Sequence, residues 1–344
     1  MSDVLDALYD SEKDRGLGDT SPYVNRWLGD IRKYFPSSVV QVLQKDALER
    51  LGLKEMLLEP ELLETIEADV ELVGTLLSLN KVLPGKTRES ARIVVEKVVR
   101  QLEKRLRNPL REAINGSLNK AARKLRPKMR EVDWHQTIKA NLKHYQADYK
   151  TIIPEKLIGH GKRRRQLKHI ILLVDQSGSM ASSMVYSGVI GSIIASLSSV
   201  KTNLVVFDTS VVDLSDKLSD PVELLFTTQL GGGTHIDKAL KYAQQLIVNP
   251  QDTILVLVSD LMEGLSEQSL IRTAASVKAS GVQLISLLAL SDKGKPVYDR
   301  NMASNFQALD IPVFGCTPDL FPSLMAAAIN RNNIQQWMAR HNIG

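Results

Sequence analysis

Apolar positions along the first 150 residues recur at steps of three and four. Leu62, Leu63, Ile66, Val70, Val73 and Leu77 follow this spacing, as do Ala91, Val94, Val95, Val98, Leu102 and Leu106. That is the spacing of one face of a helix. Pro36, Pro60, Pro84-Gly85, Pro109 and Pro127 fall between or within such stretches. Each is expected to mark a helix start or stop, because proline lacks the amide that an interior helical position needs. The pattern predicts a helical bundle or irregular solenoid of about five to seven helices, with no repeat of fixed period.

The texture changes near Ile158. Gly159-His160-Gly161-Lys162-Arg163-Arg164-Arg165 reads as a basic linker. Four short apolar runs follow: His169–Val174, Asn203–Phe207, Thr253–Val258 and Val282–Leu288. Short continuous runs suit strands covered on both faces. Ile236, Ala239, Leu240, Ala243, Leu246 and Ile247 fit one helical face between two of them. Val211–Leu214 is expected to add a short antiparallel strand beside the second run. Strands alternating with helices predict an α/β fold with a doubly wound, mostly parallel, Rossmann-like sheet. The expected organisation is an all-α domain over 1–157, a linker over 158–168 and the α/β domain over 169–344.

Composition narrows the function classes. The chain has 344 residues and a single cysteine, Cys316, which excludes an intramolecular disulfide framework and any multi-cysteine metal site. The opening residues Met1-Ser2-Asp3-Val4-Leu5-Asp6 carry no basic and apolar leader pattern. No apolar run is expected to reach the ~18–20 residues of a membrane span. The expectation is a soluble cytoplasmic protein. The net charge of +5 conceals an asymmetry: residues 1–85 carry −7, residues 86–168 carry +16 and residues 169–344 carry −4. Such a basic band can meet phosphates, an acidic partner or the chain's own acidic ends.

Three segments carry candidate chemistry. Asp175-Gln176-Ser177-Gly178-Ser179 follows the first strand, Gly231-Gly232-Gly233-Thr234 precedes a helix, and Ser259-Asp260 ends the strand over 253–258. Ligands of open α/β sheets bind beyond the carboxyl ends of strands at the topological switch point. There these loops could gather the hydroxyls of Ser177, Ser179 and Thr234 with the carboxylates of Asp175 and Asp260. All are oxygen donors, the kind that Mg²⁺ prefers.

These residues resemble the metal-ion-dependent adhesion site of von Willebrand factor A (VWA) domains, whose Asp-x-Ser-x-Ser, later Thr and later Asp are matched by Asp175, Ser177, Ser179, Thr234 and Asp260. The resemblance covers about 169–344. The helical first half and the phrase Val206-Phe207-Asp208-Thr209-Ser210 are similar to the bacterial CoxE-like group. The resemblance implies Mg²⁺, with Mn²⁺ as a substitute, held directly by Ser177 and Ser179. Thr234 is then implied to bind directly or through water, and Asp175 and Asp260 mostly through water. Neutral hydroxyls nearest the ion would leave it under-neutralised and favour an Asp or Glu from a protein partner, so a non-enzymatic adaptor is expected; the resemblance implies a MoxR-type AAA+ ATPase as that partner, in chaperone or complex-maturation work.

Other motifs fit less well. Pro84-Gly85-Lys86-Thr87 ends like a phosphate loop, but Asn80 stands where that motif needs glycine. Ser177-Gly178-Ser179 lacks the flanking glycines of a nucleophile elbow, Asp175 and Ser179 standing in their places. Lys120–Arg130 and Lys162–Arg165 leave an RNA-binding scaffold, similar in outline to Ro proteins, as the alternative function. An extracellular adhesin is disfavoured by the missing leader pattern. Asp208 and Asp213 read as strand-end caps, and His235 as a first-turn helix residue.

Overall fold

A computed structural model describes residues 68–80, 82–121, 132–160, 167–228, 231–292 and 297–343, with isolated positions elsewhere. Leu62, Ile66, Pro60, Pro127, Lys162–Arg165 and most of Lys120–Arg130 lie outside the described residues.

The α/β half is built on a six-stranded sheet. Its strands are β1 (Lys168–Asp175), β2 (Val200–Phe207), β3 (Val211–Asp213), β4 (Thr253–Val258), β5 (Gln283–Leu290) and β6 (Val313–Cys316). Their order is β6-β5-β4-β1-β2-β3, parallel throughout except for the antiparallel β3 edge. The chain runs from β1 outward to β2 on one side and returns through β4 on the other. The topological switch point therefore lies between the carboxyl ends of β1 and β4. The four apolar runs and the short antiparallel strand fall where the sequence pattern put them. The sixth strand, Val313–Cys316, has only four residues, one of them glycine, too little to register as a pattern.

Alternate residues of each strand feed two separate cores. Ile171, Leu173, Val205, Phe207, Leu255 and Leu257 pack against α6 (Ile236–Leu246), α7 (Glu267–Ala279) and α8 (Arg300–Ala308). Ile170, Leu172, Val174, Leu204, Val206 and Val256 face α4 (Ala181–Ala195), α5 (Pro221–Thr227), α9 (Phe321–Ile329) and α10 (Ile334–Arg340).

The helical half adds a third layer on that second face. Its described helices include α1 (Val70–Ser78), α2 (Gly85–Ala121) and α3 (Trp134–Ala140). Asp69 caps α1 by accepting from the Leu72 amide at 2.7 Å. Helix α1 packs on α4, and α2 lies across α4 and α9. Val95, Val98, Leu102, Leu106, Leu110 and Ile114 form the buried stripe of α2 and belong to the same core as the sheet. Pro109 sits inside α2 and does not end it, against the sequence expectation. It forfeits one backbone hydrogen bond, and the buried residues on either side, Leu106 and Leu110, keep the helix seated through the proline.

This third layer explains an unusual helix. Ser183 through Ile194 of α4 are all buried. A helix apolar all round must be covered all round, and here the sheet covers one side while α1 and α2 cover the other. The stretch Gly178–Ala195 has the length and composition of a membrane span, with a mean hydropathy of 1.3 over 18 residues, where none was expected. In this structure 72% of it is buried inside the protein, which accounts for its apolar character without a bilayer.

Candidate functional site

The strand ladder sets the site's base. Asp175 is the last residue of β1 and is fully buried. The Gln176 amide still donates to the Phe207 carbonyl at 3.0 Å, extending the β1–β2 pairing one residue beyond the strand. The chain then turns: the Ser177 amide donates to Asp175 Oδ1 at 2.8 Å. Ser177 Oγ lies 3.2 Å from Ser179 Oγ, and Ser179 Oγ donates to Asp260 Oδ2 at 2.8 Å. An oxygen-lined crest thus joins the β1 and β4 loops at the switch point.

The Thr234 loop is docked onto the same crest through its backbone. The Gly231 amide donates to the Gln176 carbonyl at 2.9 Å, and the His235 amide to the Asp208 carbonyl at 2.9 Å. Gly231 and Gly232 have φ of +116° and +111°, a region that side chains disfavour. Thr234 itself is buried, and its carbonyl accepts from the Gly264 amide at 2.7 Å. A Cβ on Gly264 would stand 2.9 Å from that carbonyl oxygen, so only glycine permits this approach. The five motif residues therefore lie on three loops that touch one another.

Burial sets the electrostatics. It pushes the Asp175 carboxyl up to about 6, against the pull of the Ser177 amide and the Ser259 hydroxyl, while the Asp260 charge adds to the rise. An ionised Asp175 is therefore held at a cost that a nearby cation would offset. Among the described residues no three acidic, histidine or cysteine side chains converge on one point. The cluster instead combines two carboxylates with serine hydroxyls.

Some of the supporting residues lie outside the motif. Ser259 is fully buried and donates from Oγ to Asp175 Oδ2 at 2.8 Å, while accepting from the Leu261 amide at 3.1 Å. Leu261 is buried with φ +63°. A non-glycine residue in that conformation costs about 1–2 kcal/mol, and its strain sits directly beside Asp260. The Met262 amide donates to Asp260 Oδ1 at 3.2 Å, and Glu263 accepts from the Asp237 amide at 3.1 Å, tying this loop to the start of α6. The sequence pattern names Ser259 only as the residue before Asp260, and it does not single out Leu261 or Gly264.

The remaining candidates have structural partners. Asp208 accepts from the Ser210 amide and hydroxyl, and Asp213 from the Ser215 amide and the Tyr242 hydroxyl. His235 is the N-cap residue of α6, and its ring Nδ1 donates to the Thr209 carbonyl at 3.2 Å. Within the described part of the basic band, Arg92, Arg100, Arg107 and Lys168 pair with Glu223, Glu96, Glu103 and Asp252. Arg105 pairs with Asp292 and Asp319.

Fold and loop constellation together define a VWA-type protein, and comparison with known families makes the assignment specific. The model of the family described as VWA domain containing CoxE-like protein matches residues 102–325, and the chain belongs to that family. It is 33% identical over 317 residues to the uncharacterized protein YehP of Escherichia coli strain K12, a match covering 92% of this chain and 84% of YehP. Among solved structures it is similar to a von Willebrand factor type A protein from Catenulispora acidiphila. That match has TM-score 0.37 and 14% identity, covering 48% of this chain and 42% of the other. It is also similar to the Deinococcus radiodurans Ro protein, with TM-score 0.34, 14% identity and coverage of 96% and 63% respectively. Family membership supports a protein-interaction role in general terms.

Proposed function

We propose that the chain is a non-enzymatic adaptor whose sheet crest holds Mg²⁺ and docks a carboxylate of a protein partner, with a MoxR-type AAA+ ATPase as the candidate partner. One observation carries this reading: the spacing of the crest oxygens. An octahedral ion with metal–oxygen distances of about 2.0–2.1 Å has edges of about 2.9 Å. The Ser177–Ser179 separation of 3.2 Å is close to such an edge, so the two hydroxyls can hold one ion together, with Asp260 2.8 Å from Ser179. Ser177 and Ser179 would hold it directly, with Thr234, Asp175 and Asp260 around it, and Mn²⁺ suits the same donors. When bound, the ion supplies a cationic centre whose nearest protein oxygens are neutral hydroxyls, and a carboxylate from outside balances that charge.

The test uses the full chain with Ser177→Ala/Ser179→Ala. Mg²⁺ raises the Tm of the wild type by linkage, and the double variant loses that rise. Association with a MoxR-type ATPase, read by co-sedimentation, requires Mg²⁺ or Mn²⁺ and fails in the double variant. Association that persists in EDTA refutes metal-bridged docking.

A further inference from the structure

A cleft of about 590 Å³ opens beside the oxygen crest. Ser179 and Asp260 both line it, so it shares two residues with the proposed metal centre. The helical layer contributes Asp69, Val70 and Glu71 at the start of α1, and Val98, Gln101, Leu102 and Arg105 of α2. Gly74 makes this closeness possible, because a Cβ there would lie 3.0 Å from the Cβ of Ala181, just past the serine loop.

Several polar groups around the cleft are already bonded. Asp292 takes the Tyr186 hydroxyl and the Arg105 guanidinium. The Ser183 hydroxyl accepts from the Leu290 amide at 3.0 Å, and Asp69 caps α1. Asp69, Glu71, Asp260 and Asp292 place carboxylates around the cleft and Arg105 a cation, and between them Val70, Val98, Leu102 and Met180 offer apolar surface. Val297, 80% exposed, also lines the cleft. Met262 and Leu265, exposed on the loop that carries Asp260, add apolar surface near the crest. Binding sites for linear or small ligands are commonly clefts of about 300–1,000 Å³ with apolar walls and a few oriented polar groups.

We propose that this cleft is the selective half of the docking site. It takes a linear segment of a partner protein in which an Asp or Glu adjoins a large aliphatic side chain. The acid meets the Ser179–Asp260 pair, by charge complementarity with the cation, and the aliphatic side chain enters between α2 and Val297. The inference rests on the metal-docking reading and adds that the helical layer, and not the VWA-type half alone, selects the partner.

The probes are three fluorescein-labelled nonapeptides with one central acidic position: aspartate flanked by leucines, aspartate flanked by glycines, and asparagine flanked by leucines. Each is titrated into the full chain in Mg²⁺ and in EDTA, with binding read by fluorescence anisotropy. In Mg²⁺ the leucine-flanked aspartate peptide binds at least about tenfold more tightly than the glycine-flanked one, because a buried leucine side chain contributes that much or more. The asparagine peptide does not bind, and EDTA abolishes binding of the others. Gln101→Trp, which fills the cleft from an exposed position on α2, and Val297→Asp each shrink the leucine advantage. Equal affinity of the two aspartate peptides overturns the inference, as does an advantage that both variants leave intact. If Mg²⁺ still raises the Tm in that event, the cleft reading alone has failed. If Mg²⁺ has no effect on Tm and no peptide depends on it, the metal-docking reading itself has failed.

Discussion

Replacing Asp175 by asparagine separates the cost of the site from its use. Burial raises the Asp175 pKa from 3.8 to about 6 in the folded protein. A group raised in this way contributes stability that is fully present below the unfolded value and is lost as pH rises through the folded one. Without metal, that loss falls between about pH 4 and pH 6. At pH 7.5 the ionised carboxylate then costs roughly 3 kcal/mol relative to its neutral form, two units at about 1.4 kcal/mol each. Asparagine is neutral and nearly isosteric. Its Oδ1 can still accept the Ser177 amide, and the Ser259 hydroxyl can rotate to accept from Nδ2 where it now donates to Asp175 Oδ2. Asp175→Asn is therefore expected to be more stable than wild type in EDTA at pH 7.5, by about 2–3 kcal/mol, or several degrees of Tm for a chain of this size. The gain should fade by pH 4.5, where the wild-type carboxyl is protonated, and Mg²⁺ should no longer raise the Tm of the variant. Thermal melts in EDTA and in Mg²⁺ at the two pH values test all of this. An Asp175→Asn variant less stable than wild type in EDTA at pH 7.5 would refute the reasoning, because the hydrogen bonds to the carboxylate would then outweigh its burial.

Other expectations follow from the same geometry. Gly264→Ala, whose Cβ meets the Thr234 carbonyl at 2.9 Å, should displace the Thr234 loop and weaken Mg²⁺ binding at least about tenfold by calorimetric titration, a 1.4 kcal/mol change; unchanged affinity would mean the loop yields freely. Leu106→Ala removes a buried side chain from the core shared by α2 and the sheet and should cost about 2–5 kcal/mol. Scanning calorimetry should show one transition moving as a whole, whereas two transitions with only one displaced would mean that the layers unfold separately. Arg105→Met breaks ion pairs to Asp292 and Asp319 in which the guanidinium is 42% exposed. It should lower stability by about 1 kcal/mol or less, with the difference shrinking in high salt.

The parallel sheet was legible because four of its strands are continuous apolar runs, which few other structures require. Asp175, Ser177 and Ser179 were legible as candidates because they follow a strand at fixed spacing, Asp260 because it ends another strand, and Thr234 because it completes the motif in order. Ser259 was not legible as a partner of Asp175, since a serine before an aspartate is common and its bond to Asp175 spans 84 positions. Leu261 was not either, because backbone strain leaves no mark in residue type. Pro109 misled for a physical reason: local propensity argues for a helix break, but the buried stripe from Val95 to Ile114 outweighs one missing hydrogen bond. The third layer over α4 could have been inferred only from that helix's lack of a polar face, which equally resembles a membrane segment.

The placement of α2 also sets an order of events during synthesis. Arg105 and Asp319 are 214 positions apart, so at about 5–20 residues per second α2 leaves the ribosome roughly 10–40 s before the chain around α9 exists. Throughout that interval the part of its apolar stripe that packs on α9 has no native surface to cover it, while the part that packs on α4 is covered once that helix emerges. A nascent chain of this design therefore passes through a long-lived sticky stage that closes only when its last hundred residues arrive. Slow translation late in the message would prolong that stage, so recovery of intact protein from the ribosome depends on the helices that follow β6.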